Sequence, residues 1–232
     1  MNNDVSTLRI LRSSSLPGAI QQEICRMILD GTFEPGDKLG EAELALQLGV
    51  SRGPIREAFR GLEEAKLVRF TRNRGVYVRE ISIPEATEIY TVRAGLDDLI
   101  GRILAPQITE GQISELQGRI VAMERCYSSG NIQEYFSLNM SFHDRIAEMA
   151  GNQKLLEIYR RLMNETLLIR RRGLTRGGGF SVSNQEHQLI VDALSTKDPD
   201  RAALAMTEHV RRGQERLMKS LQVPQPANTA TA

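Results

Sequence analysis

Only three of the 232 residues are histidine, and each falls on an apolar stripe with helical spacing. His143 leads Ile146, Ala147 and Ala150; His187 leads Ile190, Val191 and Leu194; His209 closes the stripe Ala202, Ala205, Met206. Stripes spaced i, i+3, i+4, i+7 face a core, so all three imidazoles are expected inside a bundle. Asn139 lies one turn before His143 on the same face. Three inward imidazoles from three helices can fill most of the coordination sphere of Zn²⁺, Ni²⁺ or a similar borderline ion. They can equally be three separate core histidines, each satisfied by its own hydrogen bond. A three-histidine site with an open position also suits a metal-dependent hydrolase or hydratase, with Glu186 as the candidate base. Adjacent helical residues point about 100° apart, which turns Glu186 away from an ion held by His187.

A second set of residues is cationic. Arg52, Arg56 and Arg60 recur at i, i+4, i+8, on a different face from Ile55, Ala58, Phe59 and Leu62. A helix with arginines near its N-terminus can enter the major groove, where Arg bonds guanine O6 and N7 bidentately. Ser51 and the backbone N–H groups beside it, that of Gly53 included, can grip a phosphate at the helix start. The turn Arg72-Asn73-Arg74-Gly75 can follow the minor groove or the phosphate backbone. The total charge conceals this, because 30 Lys+Arg stand against 29 Asp+Glu, a net +1. By segment, residues 51–79 carry 8 basic and 3 acidic side chains, residues 1–50 carry 4 and 7, and residues 80–232 carry 18 and 19. Basic charge is thus concentrated where phosphates would lie; the plainer alternative is a solvated charged face on a small helical domain. Arg93 is a third oddity, a cation on the stripe Ile89, Tyr90, Leu96, Ile100. It is expected to be partly buried, with Asp97 available as an i, i+4 counter-ion.

The elements that must carry these residues are well punctuated. Residues 1–15 read as a flexible polar arm and 222–232 as a disordered tail. Ser15 and Pro17 open a first helix that Gly31 stops. The turn FEPGDKL leads to a short helix over 41–48, Gly49-Val50 forms a tight turn, and Ser51 caps a third helix to about residue 65. Residues 67–70 and 75–80 read as the strands of a hairpin with a basic tip. Ser82 with Glu85 has the spacing of a capping box and opens a long helix to about 104. Thr109 with Gln112 and then Asn131 cap the next two helices, and a fourth covers 153–172. The loop GLTRGGGFSV follows; Ser183 with Glu186 then caps a helix, and Asp198-Pro199 starts the last. The expected fold is mainly α: a winged helix–turn–helix over 16–81, of three helices plus a hairpin, and an all-helical bundle over 82–221.

At 41% hydrophobic and 25% charged the composition is that of an ordinary globular protein. No apolar run approaches the ~20 residues of a membrane-spanning helix. The N-terminal residues lack the apolar core of a signal peptide, so the expected location is the cytoplasm. Cys25 and Cys126 are expected to be reduced core residues rather than a disulfide or a metal pair.

The run GTFEPGDKLGEAELALQLGVSRGPIREAFRGLEEAKLVRFTRNRGVYV resembles the winged helix–turn–helix of GntR-type bacterial transcription regulators. Pro35, Gly36, Leu39, Leu44, Ala45, Leu48 to Arg52, Pro54, Arg56 to Ala58, Leu62, Leu67, Val68, Gly75 and Val78 fit its pattern. Ile55 and Phe59 are conservative departures, and Lys66 stands where Gly is usual. The resemblance implies DNA contacts from Arg52, Arg56 and the wing tip at Gly75, made by a homodimer on a pseudo-palindromic operator. From Ile83 to about Leu221 the chain resembles the FCD effector domain of the FadR branch. Phe142-His143, Asn152, Leu155, Glu186-His187, Ile190, Ala193-Leu194, Asp198, Ala202 and His209 fit its motif. That likeness implies a divalent metal on His143, His187, His209 and position 139, where Asn139 replaces the family's Asp and so lacks its negative charge. It also implies that Arg93 binds the carboxylate of a small organic-acid effector. The reading that results is a ligand-responsive DNA-binding repressor without enzymatic activity.

Overall fold

The computed structural model describes residues 15–175 and 179–222. The expected arm and tail lie outside the described residues, apart from Ser15 and Gln222. The chain divides into two compact units between Ser82 and Ile83.

The first unit holds α1 (Leu16–Asp30), β1 (Lys38–Leu39), α2 (Glu41–Gln47), α3 (Arg52–Glu64), β2 (Val68–Thr71) and β3 (Gly75–Val78). Ser15 caps α1 by accepting from the Gly18 amide, and Gly31 ends it in the left-handed conformation at φ 85°, which glycine adopts without a Cβ penalty. Ile20, Ile24, Met27 and Ile28 of α1 are buried with Ile55, Ala58, Phe59 and Leu62 of α3, so both amphipathic stripes face inward. A Cβ on Gly61 would come within 2.3 Å of the Gln21 side chain, a measure of how closely α1 and α3 approach.

The wing has one strand more than the expected hairpin. Lys38–Leu39 pairs antiparallel with β3, giving the order β1-β3-β2. Two residues are too few to show an alternation; what makes them a strand is the ladder offered by β3, which Val78 N–H extends by donating to the Asp37 carbonyl. Ser51 occupies the N-cap position of α3 with extended backbone, but its side chain makes no capping hydrogen bond.

The second unit contains α4 (Ile83–Leu104), a 3₁₀ turn (Ala105–Gln107), α5 (Glu110–Ser128), α6 (Ile132–Met149), α7 (Gln153–Thr175), α8 (Gly179–Ser195) and α9 (Pro199–Gln222). Thr109 and Gln112 form the expected capping box, and the Asn131 side chain accepts from the Glu134 amide at the start of α6. The helix expected to begin after Ser183 instead begins at Gly179, so of the loop read over 173–182 the described residues, 173–175 and 179–182, are helical. Phe180 explains the difference. Its ring lies 4.8 Å from that of Tyr135, whose hydroxyl donates to the Phe180 carbonyl. Packing therefore draws Gly179 into the first turn despite its low helix propensity, and Ser183, buried at 2% exposure, is an interior residue and not a cap.

Helices α4 and α9 meet backbone to backbone. A Cβ at Gly101 would lie 2.8–2.9 Å from main-chain atoms of Ala202 and Ala203. Gly101→Ala is therefore expected to destabilise the protein by about 1–3 kcal/mol through overpacking, although Ala is ordinarily the better helix former by ~1 kcal/mol. Gly118→Ala on exposed α5 surface, where an added Cβ meets nothing within 4 Å, is the control and should be neutral or stabilising. Urea denaturation of both variants measures the contrast; equal effects would rule out the close approach.

Candidate functional site

The cationic residues of the first unit lie on its surface. Arg52, Arg56 and Arg60 project from the exposed side of α3, and Ser51 and Gly53 are exposed at its start. Arg72, Arg74 and Gly75 are exposed at the hairpin tip. There Asn73 (φ 61°) and Gly75 (φ 112°) take left-handed conformations that turn the chain between β2 and β3. Between α3 and the wing runs a groove of about 560 Å³ lined by Lys38, Glu41, Arg56, Arg60, Phe70 and Arg74. The fold thus brings Arg56, Arg74 and Gly75 to one groove, while Ser51, Arg52, Gly53 and Arg72 lie outside its lining. Arg56 Nε donates to Glu41 Oε2 at 2.7 Å. That hydrogen bond, more than the Coulomb attraction, raises the Arg56 pKa.

In the second unit α6, α8 and α9 bring the three histidines together. One ring nitrogen from each of His143, His187 and His209 lies within 4.8 Å of the others, and all three residues are buried. Nitrogens at ~2.1 Å from a tetrahedral ion sit about 3.4 Å apart, so modest side-chain rotation would close the set. Asn139, one turn before His143 on α6, is 1% exposed. Neither its Oδ1 nor its Nδ2 has a hydrogen-bond partner among the described residues. A buried amide left so is costly, and a ligand on Oδ1 would relieve part of that cost. Hence the donor set fits a borderline divalent cation.

Glu186 has a place other than the one expected. It is interior to α8 and 4% exposed, and its Oε2 lies 2.9 Å from His209 Nδ1. Arg216 grips the same carboxylate with Nη1 at 2.6 Å from Oε1 and Nη2 at 2.7 Å from Oε2. An ionised carboxylate only accepts, so Nδ1 of His209 carries the proton and the lone pair is on Nε2. Orienting a ligating imidazole in this way is the usual work of an outer carboxylate.

Arg93 is more deeply buried than its sequence position suggests, at 0% exposure, as is Asp97. Its Nε lies 3.4 Å from Asp97 Oδ2, but no guanidinium nitrogen makes a hydrogen bond among the described residues. Burial is the strongest single influence and acts to lower the Arg93 pKa, but Asp97 together with Tyr159 and Tyr90 outweighs it, so the net shift is upward and the group remains charged. Tyr159 of α7 donates to Asp97 Oδ1 at 3.4 Å. On α4, Gly101 faces Ala202 and Ala203 while Tyr90 faces Gly213; the helices are antiparallel, and Arg93 comes level with the turn of α9 that carries His209.

Glu41, Glu186 and Arg216 were not legible as partners. Glu41 and Arg56 are 15 residues apart and Glu186 and Arg216 are 30 apart, and neither separation has a period. Glu186 also had the spacing of a cap, which concealed its interior position.

Residues 88–212 match the FCD domain family, and residues 16–78 match the family described as bacterial regulatory proteins, gntR family. The chain is 26% identical over 196 residues to the HTH-type transcriptional repressor RspR of Escherichia coli (strain K12), covering 83% of this chain and 86% of that one. It is 28% identical over 183 residues to the gluconate operon transcriptional repressor of Bacillus licheniformis, covering 77% and 75%. Among solved structures it is similar to E. coli McbR/YncC, with a TM-score of 0.80 at 20% identity over 90% of this chain and 100% of that one, a likeness of fold.

Glu186→Leu should destabilise the helical unit by about 1–3 kcal/mol, because it strands the Arg216 fork and the His209 N–H. Glu186→Gln, which still accepts from one of them, should cost less. Urea titration separates the two, and an unchanged midpoint for Glu186→Leu would refute the clamp.

Proposed function

This chain belongs to the gntR family of bacterial regulatory proteins and carries its FCD domain; from that premise we propose that it is a homodimeric, cytoplasmic repressor released or engaged by a small organic acid. The winged unit of each protomer reads one half-site of a pseudo-palindromic operator. Arg52 and Arg56 enter the major groove, Ser51 and Gly53 hold a phosphate at the start of α3, and Arg72, Arg74 and Gly75 follow the neighbouring groove or backbone.

The observation that carries the effector reading is Arg93, a fully buried guanidinium with none of its hydrogen bonds made among the described residues. A carboxylate supplies what that fork lacks. His143, His187, His209 and Asn139 would hold a divalent metal, Zn²⁺ or Ni²⁺ by donor type. Such an ion would supply a positive centre for an acidic effector. The described buried charges cancel in pairs, Arg93 with Asp97 and Glu186 with Arg216, and the four donors are neutral. None of the described buried charges is then left over to balance a dication, so a dicarboxylate or hydroxy acid suits the site better than a monocarboxylate. A relative named for a gluconate operon is in keeping with a sugar acid. The hydrolase alternative has no support, because the family consists of transcription regulators and both Glu186 oxygens are held by Arg216.

Arg52→Ala should weaken operator binding by about 1–3 kcal/mol, and Arg72→Ala should weaken all duplexes alike and lower the salt slope by about 1. Fluorescence anisotropy across salt concentrations reads both, and unchanged affinity and slope would exclude this face. In thermal-shift titrations Zn²⁺ with a dicarboxylate should stabilise more than the sum of either alone, and His187→Ala should abolish the Zn²⁺ effect. Asn139→Asp should strengthen metal binding without carboxylate and reduce the further gain from it. A Zn²⁺ response indifferent to both substitutions would remove the metal from this site.

A further inference from the structure

The pairing of Arg56 with Glu41 sets this arginine apart from its neighbours. Arg52 and Arg60 share its exposed face of α3 and make no ion pair among the described residues. Arg56 is 64% exposed at the side chain, yet it is held from α2 by a carboxylate only 28% exposed. The bond is made through Nε at 2.7 Å. A guanidinium bound at Nε keeps its two terminal amino groups as an end-on fork, the geometry that matches guanine O6 and N7. On the reading of α3 as the helix that enters the major groove, we propose that Glu41 is a positioning residue for Arg56, and that it serves base discrimination at the expense of general affinity for DNA.

Two opposed effects follow from one carboxylate. Glu41 and Glu43 occupy the first turn of α2, and Glu41 shares the groove between α3 and the wing with Lys38, Arg60 and Arg74. Negative charge there repels phosphates and weakens binding to any duplex. The same charge fixes a long side chain that would otherwise sample several rotamers and lose that freedom only on binding. Contact with a correct base gains from the second effect, while non-specific binding, which needs no fixed fork, feels only the first. Removing Glu41 should therefore move the two affinities in opposite directions. A purely electrostatic role moves them together, and a purely structural role in joining α2 to α3 lowers both.

The test uses the full chain with two probes: a duplex enriched from a random library on the wild-type protein, and poly(dI-dC). Glu41→Ala is expected to weaken binding to the enriched duplex about 3- to 10-fold while strengthening binding to poly(dI-dC) at low salt. Glu41→Gln keeps an oxygen for Nε and should recover part of the specific affinity. Adding Glu41→Ala to Arg56→Ala should cause no further specific loss, since there is nothing left to position. Unchanged thermal melting shows that the variants fold. The proposal is overturned if Glu41→Ala strengthens both affinities alike, or if its specific loss persists undiminished in the Arg56→Ala background. If Arg56→Ala itself leaves the enriched duplex bound as before, the reading of α3 fails, and this inference with it.

Discussion

Taking an ionised side chain out of water costs several kcal/mol unless an opposite charge comes with it, and the helical unit is arranged around that cost. Arg93 and Asp97 are both fully enclosed and sit one turn apart on α4. Tyr159 ties the same carboxylate to α7. Glu186 on α8 is matched by Arg216 on α9 and takes up the outer nitrogen of His209. Each polar contact between helices fixes a rotation, because a turn about the axis would expose the apolar stripe and break that contact at once. The apolar core of Phe142, Ile146, Ile190, Val191, Leu194 and Met206 does not discriminate among rotations so finely, since apolar contacts are not directional.

The two units answer to different constraints. In the winged unit charge is displayed on a small core, and the arginines of α3 are free to face water because Ile55, Ala58, Phe59 and Leu62 meet the needs of packing. In the helical unit polarity is enclosed. The total charge of +1 describes neither, since it averages a basic surface with an interior whose described charges cancel.

Much of this arrangement was written in local sequence. Ser15 with Gly31, Thr109 with Gln112, and Asn131 bound their helices through chemistry that acts over a few residues. The three histidine stripes were equally plain, because a 3.6-residue period carries information about which face is buried. What could not be read was decided by distant partners. Lys38–Leu39 is a strand only because β3 is beside it, and Gly179 starts a helix because Phe180 packs against Tyr135. Glu186 seemed to be a cap because the spacing from Ser183 suited one; its partner His209 lies 23 residues away on another helix. Arg93 was legible as unusual, but the completeness of its burial depended on α7 and α9 closing over it.

The contact at Gly101 also has a mechanical meaning. Where side chains interpose, two helices slide by repacking; where main chain meets main chain, as α4 meets Ala202 and Ala203, there is no compliant layer to absorb a shift. Helix α4 carries Arg93 and α9 carries His209, so the buried guanidinium and one imidazole of the histidine cluster stand on members of one stiff couple. Helix α4 is 22 residues long, a rod of roughly 33 Å. Its first residue, Ile83, directly follows the last residue of the winged unit. The stiffness of that couple therefore extends along α4 to the peptide bond that joins it to the winged unit.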